Sequence, residues 1–563
     1  MKKLIVILLF CIFFITTGYG QRYAVVVKES TLEDSAWAAV VDTLVARHNG
    51  KVFTYVRSIW TVLSELTEYQ PTHVCFVARP QDIISDDGEK YVSRVHQLTR
   101  MLDDDPYGDA IWGIVTGYNA EDAMRIASGP DEFLIRTELT GTSAAWLSYV
   151  YQGIATFEAE YNRIRFKYPD GTIVDTTDST LCPTDRTEFL VNHLNSDTID
   201  IFITSGHANY NVWQLHYPNP GLEGYFRSYA GQLYGEPHDG PNINVNSTNP
   251  KIYYAPGNCL IGLVKNMDCM VLAWLHTGGA YQYCGYTVVT WYGYMGWGIS
   301  EYFYHLADRF SFAEAFYLNN QALIFDLENN TPGTDPNGLE YDKDVVAFYG
   351  DPACRAHLYW DSVACKKPLY DQELIVATGN GKDTITFRIT MNEEGRPWHQ
   401  GGRPAFAFLP FRVEDPEILY MDAHNAVITD NFVLLDIWEE GDSLLKEGEQ
   451  RQVVFTAKKV GIEEQVVSKS LYSFELSQNC PNPFDRQTTI EYQLPTHTRV
   501  SLKIYNTAGR LVRTLVDEKQ EAGRYSIVWD RRNDSGQKVG SGIYFYSIKT
   551  NGFSKTKKMI LMK

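Results

Sequence analysis

Short apolar runs alternate with amphipathic segments through the first part of the chain, up to residue 165. The runs are rich in β-branched residues and have the length of strands. They lie at 22–27, 51–56, 73–78 and 110–117. Between them, apolar residues recur at three- and four-residue steps, which predicts helices over 34–48, 59–67, 90–102 and 119–128. Strands that alternate with helices favour a parallel sheet with helices on both faces.

The same alternation returns between residues 166 and 365. Strand-like runs cover 198–207, 251–259 and 279–286, and helix-like segments cover 184–195 and 311–324. Directly after Cys259, an apolar stripe predicts one more helix, which ends at Gly278–Gly279. The stripe consists of Leu263, Met267, Met270, Val271 and Trp274. We therefore expect an α/β protein in two halves, 21–165 and 166–365.

After residue 366 the pattern changes to short strand-like runs that are separated by polar turns. No helix of useful length interrupts these runs, which is typical of a β-sandwich. We expect one such domain over 366–468 and a second β-rich domain over 469–563. A chain of 563 residues is too long for a single core, so several domains are expected.

The first twenty residues predict a secretory signal peptide. Lys2 and Lys3 precede an apolar run over 4–15, and the small residues Gly18 and Gly20 follow it. The run is too short to span a bilayer, and no later stretch is apolar enough to do so. The formal net charge of -19 and the lack of a basic patch argue against nucleic-acid binding. We expect an exported protein without a transmembrane segment in its mature chain.

The cysteines are too sparse for a disulfide scaffold. Cleavage after residue 20 removes Cys11 and leaves eight of the nine. Cys75 lies in an apolar strand-like run and is predicted to be a core residue. Cys354 and Cys365 could pair across a short loop, but the spacing alone leaves their pairing open.

Two of the predicted strands in the second half end in residues that can perform chemistry. His207 ends one and Cys259 ends the other. Carboxyl ends of strands line the ligand crevice of open α/β sheets, so these residues can face each other. A thiolate is the reactive form of cysteine, and an imidazole can take its proton and return it to a leaving amine. The backbone N–H groups of Cys259, at the start of the predicted helix, and of Ala208 are candidate oxyanion donors.

The motifs around these residues resemble the gingipain/clostripain-type cysteine peptidases, which have a caspase-like fold. SGHANYNVW (205–213) is similar to the histidine motif of that family, and NCLIG (258–262) is similar to its cysteine motif. AWLHTGGAYQYCGYT (273–287) and the GDP element in FYGDPACRAHLY (348–359) resemble downstream segments. The resemblance implies caspase-like parallel sheets over residues 22–365, with Cys259 as nucleophile and His207 as general base. Family members have glycine directly after the histidine, and this chain departs from that pattern with Ala208.

The C-terminal segments resemble the sorting domain of type IX secretion in Bacteroidetes-like bacteria. They include LSQNCPNPF (476–484), SLKIYNTAGRLVRTL (501–515) and KTKKMILMK (555–563). The resemblance implies that the secretion machinery is a partner of this domain. It also implies a location on the cell surface or outside the cell.

Four aromatic residues are candidates for the wall of a substrate pocket: Trp213, Trp291, Tyr292 and Trp297. The last three lie in the Gly-rich segment 290–298, for which a structural aromatic cluster is an equally good interpretation. The spacing of Cys269, His276 and Cys284 matches no zinc site. Ser205 lacks the nucleophile-elbow motif of a serine hydrolase.

The aspartates of DDDPYGD (103–109) are candidate calcium ligands, and the family resemblance implies structural calcium. Without the ordered spacing of a calcium loop, a solvated turn is the favoured interpretation of this segment. No catalytic metal or other cofactor is expected. The sequence therefore predicts a secreted cysteine endopeptidase that acts on protein or peptide substrates through a thioester. The alternative is a peptidase-like surface protein that binds or scaffolds without catalysis.

Overall fold

The computed structural model describes residues 22–178, 181–379, 381–397, 402–460, 475–476, 478–479, 481–494, 498–520, 523–550 and 554–562. The predicted signal peptide and Cys480 lie outside the described residues. The chain divides into two compact units, Met1–Gly461 and Ile462–Lys563. Each unit has its own hydrophobic core.

The first unit mixes helices and strands over its α/β part, and the described residues of this unit after 369 form strands without a helix. Its helices are α1 (Glu29–Leu32), α2 (Ser35–His48), α3 (Leu63–Tyr69), α4 (Pro80–Ser85), α5 (Gly88–Arg100), α6 (Ala120–Ala127), α7 (Thr187–Leu194), α8 (Met270–His276), α9 (Tyr294–Phe303), α10 (Phe312–Asn329) and α11 (Pro336–Asp342), with 3-10 turns at Ile59–Val62 and Ala307–Arg309.

The strands of the α/β part are β1 (Tyr23–Lys28), β2 (Lys51–Tyr55), β3 (His73–Val77), β4 (Ile111–Val115), β5 (Glu132–Ile135), β6 (Thr137–Thr140), β7 (Gln152–Thr156), β8 (Ile164–Lys167), β9 (Ile173–Thr176), β10 (Ile201–Ile203), β11 (Ala208–Asn209), β12 (Val212–Gln214), β13 (Tyr225–Tyr229), β14 (Gln232–Glu236), β15 (Ile243–Asn244), β16 (Lys251–Ala255), β17 (Ala280–Tyr286), β18 (Val346–Tyr349) and β19 (Arg355–Leu358). Those that follow are β20 (Tyr370–Ala377), β21 (Asp383–Met391), β22 (Ala405–Phe408), β23 (Arg412–Asp422), β24 (Asn425–Ile428), β25 (Phe432–Asp436) and β26 (Gln450–Val460).

Helix α2 illustrates how local sequence sets these elements. The Asp34 side chain accepts a hydrogen bond from the Ala36 N–H at the start of the helix, and Asn49 ends it in a left-handed conformation with φ of 50°. Trp37 and Leu44 lie on its buried face. The helix therefore follows the predicted pattern to within one residue at its start.

A single twelve-stranded sheet runs through the α/β part, in the order β2-β1-β3-β4-β18-β17-β16-β10-β6-β7-β8-β9. The pairs β2/β1, β1/β3 and β3/β4 are parallel, as are β17/β16, β16/β10, β10/β6 and β6/β7. The fold is thus mixed α/β around a largely parallel sheet. The two predicted halves share this sheet, and their expected boundary at 165/166 lies inside β8.

The segment 370–460 forms two smaller sheets, with orders β20-β21-β26-β23 and β22-β25-β24. The residues before β22 pack on the α/β part. The Arg403 guanidinium lies over the Tyr294 ring at 3.3 Å and donates to Asn319 Oδ1 at 3.1 Å. Tyr302 Oη donates to the Pro404 carbonyl at 2.9 Å. A buried aromatic cluster continues this contact, so the first unit has one core.

The second unit contains β27 (Glu475–Leu476), β28 (Thr488–Leu494), β29 (Thr498–Asn506), β30 (Leu511–Gln520), β31 (Gly523–Trp529), β32 (Gly542–Lys549) and β33 (Ser554–Leu561). They form sheets of order β27-β28-β31 and β30-β29-β32-β33. Trp529 and Phe484 meet in its core at a ring-centroid distance of 5.7 Å. None of the helices in the described part of the chain combines the length and hydropathy needed to cross a bilayer.

Candidate active site

The candidate site lies at the carboxyl ends of two neighbouring strands, β10 and β16. These strands pair in parallel, with Ile203 opposite Tyr254. The ladder continues beyond β10, because the Thr204 N–H donates to the Tyr254 carbonyl at 3.1 Å. His207 follows the first strand and Cys259 follows the second. The structure thus brings both predicted residues to the same edge of the sheet.

Asn258 ties the two strand ends together. Its Oδ1 accepts a hydrogen bond of 2.7 Å from Thr204 Oγ1, and its Nδ2 donates one of 3.1 Å to the Gly206 carbonyl. Asn258 is completely buried. The residue before the cysteine therefore holds the backbone before the histidine.

His207 lies on a turn and exposes its side chain. The preceding Gly206 has φ of +86°, a conformation that favours glycine. The His207 ring lies against the ring of Tyr217, with centroids 4.8 Å apart. Among the residues that the structure describes, which include both of these, no hydrogen bond joins the His207 imidazole to the Cys259 thiol. In this conformation the two groups share an edge of the sheet without forming an ion pair or a hydrogen bond.

Cys259 is partly exposed, and its sulfur accepts a hydrogen bond of 3.3 Å from the Thr290 N–H. The helix predicted directly after it is not formed. The Leu260 N–H donates to the Val288 carbonyl, and the Gly262 N–H donates to the Tyr286 carbonyl, both at 2.8 Å. These bonds hold the chain along the end of β17, so the first helix after Cys259 is α8, which begins at Met270. The prediction that Cys259 lies at the start of a helix is therefore wrong, and no helix dipole acts at its backbone N–H.

The two candidate oxyanion donors keep their backbone N–H groups available. Within the described residues, the Cys259 N–H has no hydrogen-bond acceptor. Ala208 has no positive φ, so alanine causes no strain there. The Gln214 N–H donates to the His207 carbonyl at 2.9 Å, which makes Ala208 and Trp213 the non-hydrogen-bonded pair of β11 and β12. The Ala208 N–H therefore points away from β12.

The four aromatic candidates separate into different roles. Trp213 is completely buried, and its Nε1 donates to the Ser205 carbonyl at 2.6 Å, so it supports the histidine turn and does not line an open pocket. Trp291 is 59% exposed and directly follows Thr290, which binds the Cys259 sulfur. Tyr292 accepts a hydrogen bond from the Asp335 N–H. Trp297 stacks on Trp146 with ring centroids 5.6 Å apart, and a Cβ placed on Gly257 would lie 2.9 Å from its ring. Trp291 is the candidate whose side chain is largely free for a ligand.

Glu158 is a site residue that the sequence pattern did not reveal. It follows β7, whose carboxyl end lies at the same edge of the sheet. Its Oε2 accepts a hydrogen bond of 2.7 Å from Ser205 Oγ, and a Cβ placed on Gly206 would lie 3.0 Å from that oxygen. The Glu158 carbonyl also accepts from the Tyr217 N–H at 2.8 Å. His207 was a candidate because it ends a strand that the sequence predicts. Glu158 would have been a candidate for the same reason if the sequence pattern had revealed β7.

The other described cysteines are buried and carry no disulfide. Cys354 and Cys365 are not paired, because their thiols donate to the carbonyls of Pro130 and Tyr359. Burial raises the thiol pKa of each of these cysteines, to about 12 for Cys269 and Cys354. The pKa is also raised by burial for Cys75, Cys182, Cys284 and Cys365. Cys259 is thus the single accessible thiol among the seven described cysteines.

One family model matches this chain. The FlgD Ig-like domain is found at residues 482–552. The match lies within the second unit and agrees with its two antiparallel sheets. It accounts for the predicted β-rich domain at the C-terminus, and it leaves the candidate active site outside its bounds.

Three solved structures show local similarity. PorZ of Porphyromonas gingivalis, described as an essential surface component of the type-IX secretion system, is 22% identical over 19% of this chain and 14% of its own, with a TM-score of 0.13. Latent dimeric PorU of the same organism is 16% identical over 38% of this chain and 22% of its own, with a TM-score of 0.15. A polysaccharide lyase is 13% identical over 35% of each chain, with a TM-score of 0.13.

The chain spans well under half the length of each of these three structures. At such low TM-scores the similarities carry no conclusion about the site. No curated protein matches the chain.

Proposed function

We propose that this protein is an exported cysteine endopeptidase in which Cys259 is the nucleophile and His207 is the general base. The observation that carries the proposal is the placement of an accessible thiol and an exposed imidazole after adjacent parallel strands, β16 and β10. Carboxyl ends of parallel strands are where α/β proteins bind their ligands. The sequence motifs around both residues add the resemblance to the gingipain/clostripain-type peptidases.

In the proposed reaction, His207 takes the Cys259 thiol proton and the sulfur attacks the scissile carbonyl carbon. The C–S bond forms, the C–N bond breaks, and His207 gives the proton to the departing amine. Water then hydrolyses the thioester, which releases the carboxylic acid and restores the thiol. The N–H groups of Cys259 and Ala208 would stabilise the oxyanion. This chemistry requires the His207 ring to leave Tyr217 and approach the sulfur when substrate binds.

Trp291 is the proposed wall of the substrate pocket. Its exposed ring lies next to the segment that binds the Cys259 sulfur, and it contacts Tyr341 edge-to-face at 5.5 Å. A Trp291→Ala variant should raise KM for peptides about 10-fold or more with little change in Tm, because an exposed aromatic contributes to binding more than to folding. Steady-state kinetics on the best substrate from a peptide library would measure this.

Labelling with an acyloxymethyl-ketone probe, followed by digestion of the peptide library, tests the reaction itself. We expect selective labelling at Cys259, complete loss in Cys259→Ala, and a loss of about 10²–10⁴-fold in rate in His207→Ala. The matched controls are Cys182→Ala, a buried thiol, and His238→Ala, an exposed histidine outside the strand edge. Labelling that is equal in all four variants would contradict the proposal. Labelling without peptide cleavage would indicate another acyl substrate.

A second candidate function is a peptidase-like surface protein that binds partners without catalysis. The observation that favours it is the His207 ring, which contacts Tyr217 and makes no hydrogen bond to Cys259 within the described chain. If the protein is such a scaffold, the wild type and the Cys259→Ala variant should bind library peptides with equal affinity, and neither should cleave them. Surface plasmon resonance with both forms distinguishes the two functions.

We also propose that the C-terminal unit directs export through a type IX machinery. The motifs in 476–484 and 555–563 support this, together with the Ig-like domain at 482–552. Removal of residues 469–563 should leave the remaining chain in the periplasm of a type IX-secreting bacterium. Immunoblots of periplasm, cell surface and medium would measure the distribution. Unchanged export of the shortened chain would contradict this part of the proposal.

A further inference from the structure

A cleft lies at the N-terminal end of the twelve-stranded sheet, where the chain changes direction across the sheet. In the order β2-β1-β3-β4, the strand that follows β1 in sequence lies on one side of it, and the strand after that lies on the other side. Both of these strands pair with β1 in parallel. In open α/β sheets, ligands bind outside the carboxyl ends of the strands at such a switch point.

The cleft is built from the carboxyl ends of these strands and from the segments that follow them. It has a volume of about 490 Å³. Lys28 ends β1, Tyr55 ends β2, and residues 56–60 come directly after β2. The helices α4 and α5 and the turn between them contribute the other lining residues, which are Asp82, Ser85, Asp86, Tyr91 and Arg94. All lining residues lie between 28 and 94, so the cleft shares none with the candidate active site.

The charged side chains of the cleft leave one cation without a counter-ion. Lys28 Nζ lies 3.2 Å from Asp82 Oδ1, and Arg94 forms an ion pair with Asp86. Arg57 is exposed, and within the described part of the chain its guanidinium has no ion pair, hydrogen bond or ring contact. The lining thus has three cations against two carboxylates, in a chain whose formal net charge is -19.

Asp82 already has its full set of partners and does not offset Arg57. It is 8% exposed, and it also accepts hydrogen bonds from Arg79 Nε at 2.7 Å and from Thr31 Oγ1 at 3.2 Å. Burial acts to raise its pKa, but the hydrogen bonds of Arg79 and Lys28 hold the pKa of Asp82 below its ordinary value. The carboxylate therefore fixes Lys28 at the cleft, and Arg79 adds a further positive charge beside it.

Apolar surface lies close to Arg57 in the same segment. Val56 is 60% exposed. Trp60 is partly exposed and packs against the core, and among the described residues its indole N–H has no hydrogen-bond acceptor. Small-molecule sites combine apolar and aromatic walls with a few polar groups, and they usually have about 300–1,000 Å³. The cleft therefore has the size of an organic ligand, which is larger than an inorganic anion.

We propose that this cleft binds a small organic oxyanion, a carboxylate or a phosphate ester. Arg57 and Lys28 bind its charged group, and its apolar part lies against Trp60 and Val56. A guanidinium presents N–H groups in a planar fork that matches two oxygens of a carboxylate or phosphate. The proposal is independent of the peptidase reaction, because none of these four residues takes part in it.

Calorimetric titration of the full chain at low ionic strength tests the site, with phenyl phosphate and phenylacetate as probes. We expect at least one of them to bind with a Kd of about 1 mM or lower. Benzyl alcohol, which has the ring without the charge, should bind at least about 10-fold more weakly. Inorganic phosphate, which has the charge without the ring, should also bind more weakly. The tighter of the two probes identifies the anionic group, and either order supports the proposal.

Arg57→Gln should weaken binding of the tighter probe at least about 10-fold. It should keep the wild-type Tm, because an exposed side chain contributes little to folding. Val56→Asp, which adds a negative charge at another exposed position of the cleft, should also weaken binding. The matched control is Arg486→Gln, which removes the same charge from an exposed position of the second unit and should bind as wild type does.

Three results would overturn the proposal. The first is that the wild type binds neither aromatic anion. The second is that Arg57→Gln and Val56→Asp, with Tm values that show both to be folded, bind the probe as tightly as wild type. The third is that benzyl alcohol binds as tightly as the anions, which would mean that the cleft recognises the ring alone.

Discussion

Asn258 donates a 3.1 Å hydrogen bond to the carbonyl of Gly206, so the residue before the candidate nucleophile holds the residue before the candidate base. We expect Asn258→Ala to lower the free energy of unfolding by about 2 kcal/mol, because it leaves buried polar groups without a partner. We also expect slower probe labelling of Cys259. Urea denaturation and labelling kinetics on the same samples measure both effects.

The matched control for this change is Asn192→Ala, an exposed asparagine on α7. It should leave stability within about 0.5 kcal/mol of wild type. An Asn258→Ala variant that is destabilised but labels at the wild-type rate would mean that Asn258 supports the fold without positioning the site.

Several features of the site could be predicted from sequence because local residues determine them. The runs 198–207 and 251–259 are apolar and end in polar residues, and both became strands with their candidate residues after the carboxyl end. Helix α2 and helix α10 have capping side chains, Asp34 and Ser311, that mark their starts. Strand-end placement and helix starts are encoded within a few residues.

Other features depend on contacts between distant segments, which periodicity does not report. The apolar stripe after Cys259 has helical spacing, but hydrogen bonds from 260–262 to the end of β17 hold that chain out of a helix. Trp213 has the position of a pocket residue in the motif, yet tertiary packing buries it. The single sheet arises because β18 pairs with both β17 and β4. Such pairings are decided by the whole fold.

Gly206 combines a left-handed backbone with close contact to Glu158. Its φ is +86°, and an added Cβ would lie 3.0 Å from Glu158 Oε2. Gly206→Ala should therefore cost about 1–2 kcal/mol of stability and displace the His207 turn. Gly381→Ala is the control, since Gly381 also has a positive φ, of 96°, but no atom within 4 Å. We expect similar losses of Tm in both variants. Labelling of Cys259 should be lost in Gly206→Ala alone. Equal labelling of the two variants would show that the His207 turn tolerates the methyl group.

Asp351 explains the GDP element as a structural feature. It is completely buried and accepts hydrogen bonds of 2.8 Å from Tyr23 Oη and from His48 Nε2. Burial acts to raise its pKa, but the hydrogen bond and charge of His48 hold the pKa of Asp351 below its ordinary value. Breaking a buried pair of this kind costs about 3 kcal/mol, which is the loss we expect in Asp351→Asn at pH 7 by urea denaturation.

The sign of the pH dependence follows from the lowered pKa of Asp351. The Asp351 carboxylate contributes its full stabilisation at pH values above the pKa that it has in the unfolded chain. This contribution is lost as pH falls through the lower pKa that it has in the folded protein. The difference between wild type and Asp351→Asn should therefore shrink below about pH 4. Asp42→Asn, at an exposed position of α2, should match wild type at every pH. If Asp351→Asn kept its stability but lost Cys259 labelling, the residue would have a role in the reaction.

Glu138 gives a pH dependence of the opposite sign. It lies in β6, which pairs with β10 inside the twelve-stranded sheet, and it is completely buried. Burial raises its pKa to about 7, against the smaller opposing effects of the Tyr304 hydroxyl and Lys167. A raised carboxyl pKa means that the folded protein holds the proton more tightly than the unfolded chain. The free energy of unfolding is then highest at a pH below the pKa of Glu138 in the unfolded chain, and it falls as pH rises towards 7.

We expect Glu138→Gln to exceed wild type in unfolding free energy at pH 8 by up to about 3 kcal/mol, and to lose this advantage towards pH 4. Urea denaturation across this range measures the effect, with the exposed Glu68→Gln as control, which should give a flat difference from wild type. A gain that grows on acidification would mean that Glu138 is ionised and paired in the folded protein.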